Sequence, residues 1–136
     1  MTVKDLMETV DRLHPNQFEQ ADKLHWLNQV EQTIWHEIIT THEGVEEDAE
    51  MPVYTAADME SGADTELLVP DPYSRLYEPW MEMQIASHNH ETMQHDVAAT
   101  AFQAAYGDFR NWYNRHHVPV GAVNHLHLLD RTWGVS

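Results

Sequence analysis

Apolar residues recur at intervals of three and four over most of the chain, which is the spacing of helices with one buried face. The first run starts at Val3, after a threonine suited to the N-cap position, and stops at Leu13. The second follows Asn16 and Glu19, which have the spacing of a capping box, and continues to about Thr40. These patterns predict two helices before the middle of the chain.

A third helix is predicted from Pro70-Asp71-Pro72, where Asp71 is expected to be the N-cap and Pro72 the first helical residue. Its pattern ends near His88. Pro79 lies inside it and predicts either a kink or a later start, because proline deletes a backbone hydrogen bond. A fourth helix is predicted over about 92–116. The expected fold class is therefore all-α: a small bundle of about four helices, two of them long and antiparallel.

Two stretches of the chain lack the helical period. Within 41–69, residues 51–55 and 65–69 are predicted either as short strands around a turn at Gly62 or as an extended arm. After residue 117 apolar residues alternate, which predicts an extended tail that pairs with another chain. We divide the chain into a helical domain, 1–117, carrying an acidic loop, 41–69, and a docking tail, 118–136. The tail residues expected to dock are Val118, Val120, Leu126, Leu128, Leu129, Arg131 and Trp133.

The chain is strongly acidic, and its charge is concentrated in one region. It has 7 basic and 23 acidic side chains, a formal net charge of −16. Between Thr41 and Glu66 there is no lysine or arginine. Such a run is typical of a solvated loop, or of a surface facing a negative molecule that must not adhere or a positive one that must. The residues considered for such a surface are Glu43, Glu46, Glu47, Asp48 and Glu50.

Composition disfavours several kinds of chemistry. The chain has no cysteine, which excludes disulfides, a thiol nucleophile and thiolate metal sites. The histidine groups His88/His90/His95 with Glu91, His116-His117 and His125/His127 do not have the spacing of a zinc or iron site. We therefore expect no catalytic residue, no cofactor and no metal. No apolar run approaches the length of a membrane span, and the N-terminus lacks a signal-peptide pattern, so we expect a soluble protein with no membrane partner.

Two segments resemble a known family. Leu67-Leu68-Val69-Pro70-Asp71-Pro72-Tyr73, followed by Leu76-Tyr77 and Met83-Gln84-Ile85-Ala86, is similar to the segment that opens the central helix of tailed-bacteriophage head–tail connector (head completion, portal adaptor) proteins. Ala101-Phe102-Gln103-Ala104-Ala105-Tyr106, Phe109 and Trp112-Tyr113-Asn114-Arg115 resemble that family's last long helix. The likeness covers about 64–117. It departs from the family at Pro79 and at His88-Asn89-His90, which replaces a tight Asn-Gly turn.

The resemblance implies a structural virion protein without an active site. Such proteins form a ring on the portal vertex after DNA packaging and provide the platform for the next neck or tail protein. The implied partners are the portal protein, a neck (stopper) or tail-completion protein and further copies of the chain, a dodecamer by resemblance. DNA would pass through the ring without sequence-specific binding, with the five acidic residues as candidate channel lining. The implied location is the virion neck, after assembly in the host cytoplasm. The residues carrying the packing motif are Pro70, Asp71, Pro72, Tyr73, Leu76, Tyr77, Phe102, Tyr106, Phe109, Trp112 and Tyr113.

Two other functions compete with this one. The charge of −16 suits an acidic DNA mimic that inhibits a nucleic-acid-binding enzyme. A mimic should spread carboxylates along its helices, whereas here they concentrate in one loop. A small metal-dependent helical enzyme is supported only by the number of histidines, and it is the weaker alternative.

Overall fold

The computed structural model describes residues 1–46, 48–60 and 62–120. They form four α-helices: α1 (Val3–Leu13), α2 (Gln20–Ile34), α3 (Tyr77–His88) and α4 (Thr92–His116). A π-helical turn, Trp35–Ile39, extends α2, and two 3-10 turns cover Ala56–Met59 and Tyr73–Leu76. In these ranges there is no strand, only two isolated β-bridges. The prediction of a small all-α bundle is confirmed.

The first helix begins as its sequence predicts. The Thr2 side chain accepts a hydrogen bond from the backbone N–H of Asp5, and the Asp5 carboxylate accepts one from the N–H of Thr2. This reciprocal capping satisfies two N–H groups that would lack helical partners. Val3 and Leu6 face the core. The chain before the helix also pairs with the distant acidic loop: Thr2 forms a bridge with Glu66, and Leu67 N–H donates to Met1 O.

The predicted capping box at Asn16 is wrong, and α2 begins later. Asn16 Oδ1 accepts from Phe18 N–H at 3.1 Å and its amide donates to His14 O at 2.9 Å, so the side chain stabilises a local turn. The helix starts at Gln20, with Glu19 as an N-cap that makes no side-chain bond. The predicted end near Thr40 agrees with the end of the π-helical turn at Ile39.

The segment between α2 and α3 forms no hairpin. Residues 51–55 are irregular and lead into a 3-10 turn, and residues 65–69 make a single bridge, Thr2 with Glu66. Tyr54, Leu67 and Val69 are buried in the core of the bundle. The second interpretation, an extended arm, therefore fits better, and the arm is packed against the helices rather than fully solvated.

The third helix begins later than Pro72. A 3-10 turn comes first, and the Asp71 carboxylate accepts from the Ser74 hydroxyl instead of capping an α-helix. The α-helix begins at Tyr77, which puts Pro79 in its first turn. Backbone N–H groups there have no helical partner, so the missing proline N–H is harmless. The prediction of Asp71 as the N-cap is wrong, and the later start expected from Pro79 is confirmed.

Helix α3, with 12 residues, runs antiparallel to α4, with 25, and it is antiparallel to α2 as well, since Tyr77 bonds Glu31 and Trp80 bonds Trp26. Arg75, just before α3, bonds Asp108 at 2.9 Å, and further along α3 the ring of Trp80 lies 5.2 Å from that of Phe102. Residue numbers therefore rise along one helix as they fall along the other. The fourth helix has the bounds predicted for it. Ala98, Ala105, Phe109 and Tyr113 are its buried residues, whereas Val97 is exposed.

Candidate functional site

One residue of the packing motif, Tyr77, donates to a buried carboxylate that sequence reasoning did not single out. Glu31 of α2 is 0% exposed and accepts from the Tyr54 hydroxyl at 2.6 Å, the Leu68 N–H at 3.0 Å and the Tyr77 hydroxyl. Tyr77 in turn accepts from the Val69 N–H at 3.0 Å. We call these five residues the Glu31 clamp. The clamp joins α2, the arm and α3 at the start of the motif.

Burial controls the protonation of the clamp. It raises the pKa of Glu31 despite the three hydrogen bonds that its carboxylate accepts, which favour the charged form. Burial and the adjacent carboxylate also raise the pKa of the Tyr54 and Tyr77 hydroxyls, so both remain donors at neutral pH. The carboxylate is closed to solvent. It positions the arm and cannot contact a molecule from outside.

A second tie fixes the arm to α2 two turns from its end. Asn28 uses both ends of its amide on the backbone of Tyr54: its Nδ2 donates to Tyr54 O at 3.0 Å, and its Oδ1 accepts from Tyr54 N–H at 2.9 Å. The amide therefore satisfies a backbone that has no strand partner. This pairing delivers the Tyr54 hydroxyl to Glu31.

The aromatic side chains around α4 form two groups of ring contacts, one beside the end of the arm and one further toward the start of α4. The Tyr73 ring stacks on Trp112 at 5.0 Å and lies 6.4 Å from Phe109, whose ring is 5.7 Å from that of Tyr113. In the second group the Phe102 ring lies 5.2 Å from that of Trp80 and 5.5 Å from that of Tyr106. The two segments that carry the family resemblance are thus in direct contact.

The candidate channel-lining residues lie on the surface. Glu43, Glu46, Asp48 and Glu50 are all exposed, and Glu47 lies outside the described residues. Gly44 has a φ of +97°, a left-handed conformation in which glycine is unstrained, at the start of this stretch. Substitution of these four side chains is therefore not expected to disturb the core.

The acidic loop and the tail leave the helical body side by side. Glu43 N–H donates to Val118 O at 2.7 Å, and Val120 N–H donates to Thr41 O at 2.7 Å. These bonds flank the bridge between His42 and Pro119. The side chains of Val118 and Val120 are exposed, but residues 118–120 pair through their backbone with residues 41–43 of the same chain, so over this stretch the predicted pairing with another chain is replaced by an internal one. The docking residues Leu126, Leu128, Leu129, Arg131 and Trp133 lie outside the described residues.

His42 anchors this junction and was also missed by the sequence analysis. It is buried, with Nδ1 close to Ile38 O and Nε2 2.7 Å from Asn114 Oδ1 of α4. Its ring meets Tyr113 edge-on at 4.7 Å, and His117 stacks on the face of Tyr113 at 3.8 Å. A histidine inside an acidic stretch, just after the helical pattern ends, was the available signal.

The first histidine group is divided between two places: His90 and His95 line one surface pocket together with Glu91, whereas His88 packs elsewhere. His88 lies against the Trp26 ring at 4.9 Å, and His95 pairs with Asp96 at 3.2 Å. Within residues 1–46, 48–60 and 62–120, no three His, Asp or Glu side chains are arranged to hold a metal ion. His125 and His127 lie outside these ranges.

Comparison of the chain with protein-family models, with curated proteins and with solved structures found no match.

None of the helices in the described part of the chain combines the length and apolarity needed to cross a bilayer.

Proposed function

We propose that this protein is a head–tail connector of a tailed bacteriophage. It forms a ring on the portal vertex after DNA packaging and presents a platform to the next neck or tail protein. The observation that carries the proposal is the packing of the two family-like segments against each other, since Tyr73 of the first segment stacks on Trp112 of the second. In the first segment the Tyr77 hydroxyl also donates a hydrogen bond to Glu31. The motif is thus a coherent structural unit, which is what an assembly protein without an active site requires.

The place from which the loop and the tail emerge also supports this function. An acidic surface and a docking segment that leave one end of a bundle together suit a subunit that contacts other chains beside a DNA channel. A DNA mimic is less well supported, since α4, the longest helix, carries only Asp96 and Asp108 as acidic residues.

The proposal is tested by electron microscopy of the purified chain mixed with the portal protein of the same phage. We expect an added ring of density on the portal, with the portal's symmetry. Portal particles that stay bare at an excess of the chain would contradict the proposal. Binding and inhibition of a nucleic-acid enzyme, in place of portal binding, would favour the DNA mimic.

Reversing charge in the acidic loop should impair infection without unfolding the subunit. In the double variant Glu46→Lys/Glu50→Lys, lysines at the bore would attract DNA phosphates, so we expect about a tenfold or greater loss of infectious titre. The matched control is Glu60→Lys/Asp64→Lys, which makes the same charge change at two exposed positions of the same loop that are not candidates for channel lining. Circular dichroism checks the fold of both variants. Equal titres for both would indicate a merely solvated loop.

A further inference from the structure

The outward side of α4 exposes a row of apolar residues. Met93 is 81% and Val97 65% exposed, and Ala101 and Ala104 are also exposed. At 3.6 residues per turn these four side chains lie within roughly 80° of one another around the helix. We call them the outer face of α4. Large exposed apolar side chains in a row are typical of a surface that another chain covers.

The outer face continues into a groove between α4 and α3. Ala101 and Ala104 line this groove together with Pro79, and Glu78 and Glu82 of α3 are also among its lining residues. Both carboxylates are half-buried. Arg75 and Asp108, which pair with each other at 2.9 Å, also line the groove, and His14 lies 3.1 Å from Glu78 and 3.9 Å from Glu82. With one arginine against three carboxylates the groove has a formal charge of −2 when His14 is neutral, so it suits an apolar segment that carries a positive charge.

The described chain ends on the opposite flank of the same helix. On that flank Tyr106 donates to Glu37 at 2.7 Å, and beyond it Val120 pairs with Thr41. Tyr106 and Ala104 are two positions apart, which places them about 160° from each other around α4. The tail thus leaves on one side of the subunit, and the groove opens on the other.

We propose that the outer face of α4 and its groove bind residues 121–136 of a second copy of this chain. That segment supplies Leu126, Leu128, Leu129 and Trp133 for the apolar surface, and Arg131 for Glu82. Its length allows a reach of up to about 50 Å, more than the roughly 38 Å length of α4. Donor and acceptor on different surfaces make a head-to-tail contact, which closes into a ring when the rotation from one copy to the next divides a full turn evenly and otherwise gives an open filament. The inference rests on the proposed ring-forming function and names the contact that builds the ring.

A charge swap in full-length chains tests this contact. Arg131→Glu and Glu82→Arg should each weaken self-association by about tenfold, measured by sedimentation velocity over a range of concentrations. In a mixture the two variants can alternate along the assembly. At one contact the carboxylate introduced at position 131 then meets the guanidinium introduced at position 82. At the next contact the unaltered Arg131 meets the unaltered Glu82. The mixture should therefore associate as the parent does. A mixture that associates no better than its components would show that positions 131 and 82 of different copies do not pair, and would overturn the proposal.

Blocking the groove gives a second, independent measurement. Ala104→Glu places a carboxylate in the groove and should weaken self-association by about tenfold, whereas Gln103→Glu makes the same charge change at an exposed position outside the groove lining. If both variants self-associate as strongly as the parent, the proposed contact is overturned. It is also overturned if the parent stays monomeric at every concentration. Portal binding is measured separately. If the parental chain binds the portal but the charge swap does not restore association, only the proposed tail–groove contact is wrong. If the swap restores association but the parental chain does not bind the portal, only the connector function is wrong.

Discussion

Replacing Glu31 with alanine is expected to destabilise the protein by about 3 kcal/mol or more, the largest effect of any single substitution considered for this fold. The change leaves the hydroxyls of Tyr54 and Tyr77 and the N–H of Leu68 in the core without their acceptor. Urea unfolding followed by circular dichroism measures the loss. The control is Glu8→Ala, which removes an exposed ion pair with Lys4 and should cost about 1 kcal/mol or less. Similar losses in the two variants would show that the clamp is not central to stability.

The isosteric variant Glu31→Gln adds a dependence on pH. Above the ordinary pKa of 4.5 the unfolded chain has lost the proton of Glu31, whereas the folded chain, with its raised pKa, still holds it. Between pH 4.5 and the raised pKa of Glu31 in the folded chain, the free energy of unfolding therefore falls as pH rises. The amide introduced by the substitution does not titrate, so the stability advantage of the parent over Glu31→Gln should shrink as pH rises from 4.5. An advantage that is constant or grows with pH would mean that the buried group is charged throughout.

Removing residues 121–136 is expected to abolish ring and portal association while leaving the helices intact. The truncation keeps Val118 and Val120, because their backbone bonds to Glu43 and Thr41 belong to the folded body. Circular dichroism should show parental helical content, and sedimentation with and without portal should show a monomer. Trp133→Ala in the full chain should cause a large part of the same loss, since buried tryptophans dominate docking energies. Parental association after truncation would mean that the helical body alone carries the interfaces.

The helix ends set by local chemistry could be predicted from the sequence. Thr2 and Asp5 cap α1 within one turn, and α4 has the bounds that its periodicity indicates. Asn16 also acts locally, but its side chain bonds to Phe18 N–H two residues away, a turn that competes with the capping box. Pro79 indicated a later start for α3, and the tighter 3-10 turn before it was the part that the pattern did not show.

The arm and the clamp could not be predicted because they depend on contacts distant in sequence. Glu31 lies on the buried stripe of α2, and only Tyr54, Leu68 and Tyr77, 23 to 46 residues away, make its burial tolerable. The same contacts hold the arm without a strand partner. A glutamate at an apolar position of a helix was the available signal, and its partners could be found only in three dimensions.

The two backbone bonds between 41–43 and 118–120 also determine how the protein bears a mechanical load. A pull on the tail loads the Val120–Thr41 bond first and the Glu43–Val118 bond second, because Val120 is the residue of this antiparallel pair nearest the pulled end. His42 connects the pair to Asn114 of α4 and to Ile38 in the π-helical turn. While these bonds hold, force on the tail is therefore shared between α4, to which the tail is covalently attached, and the end of α2.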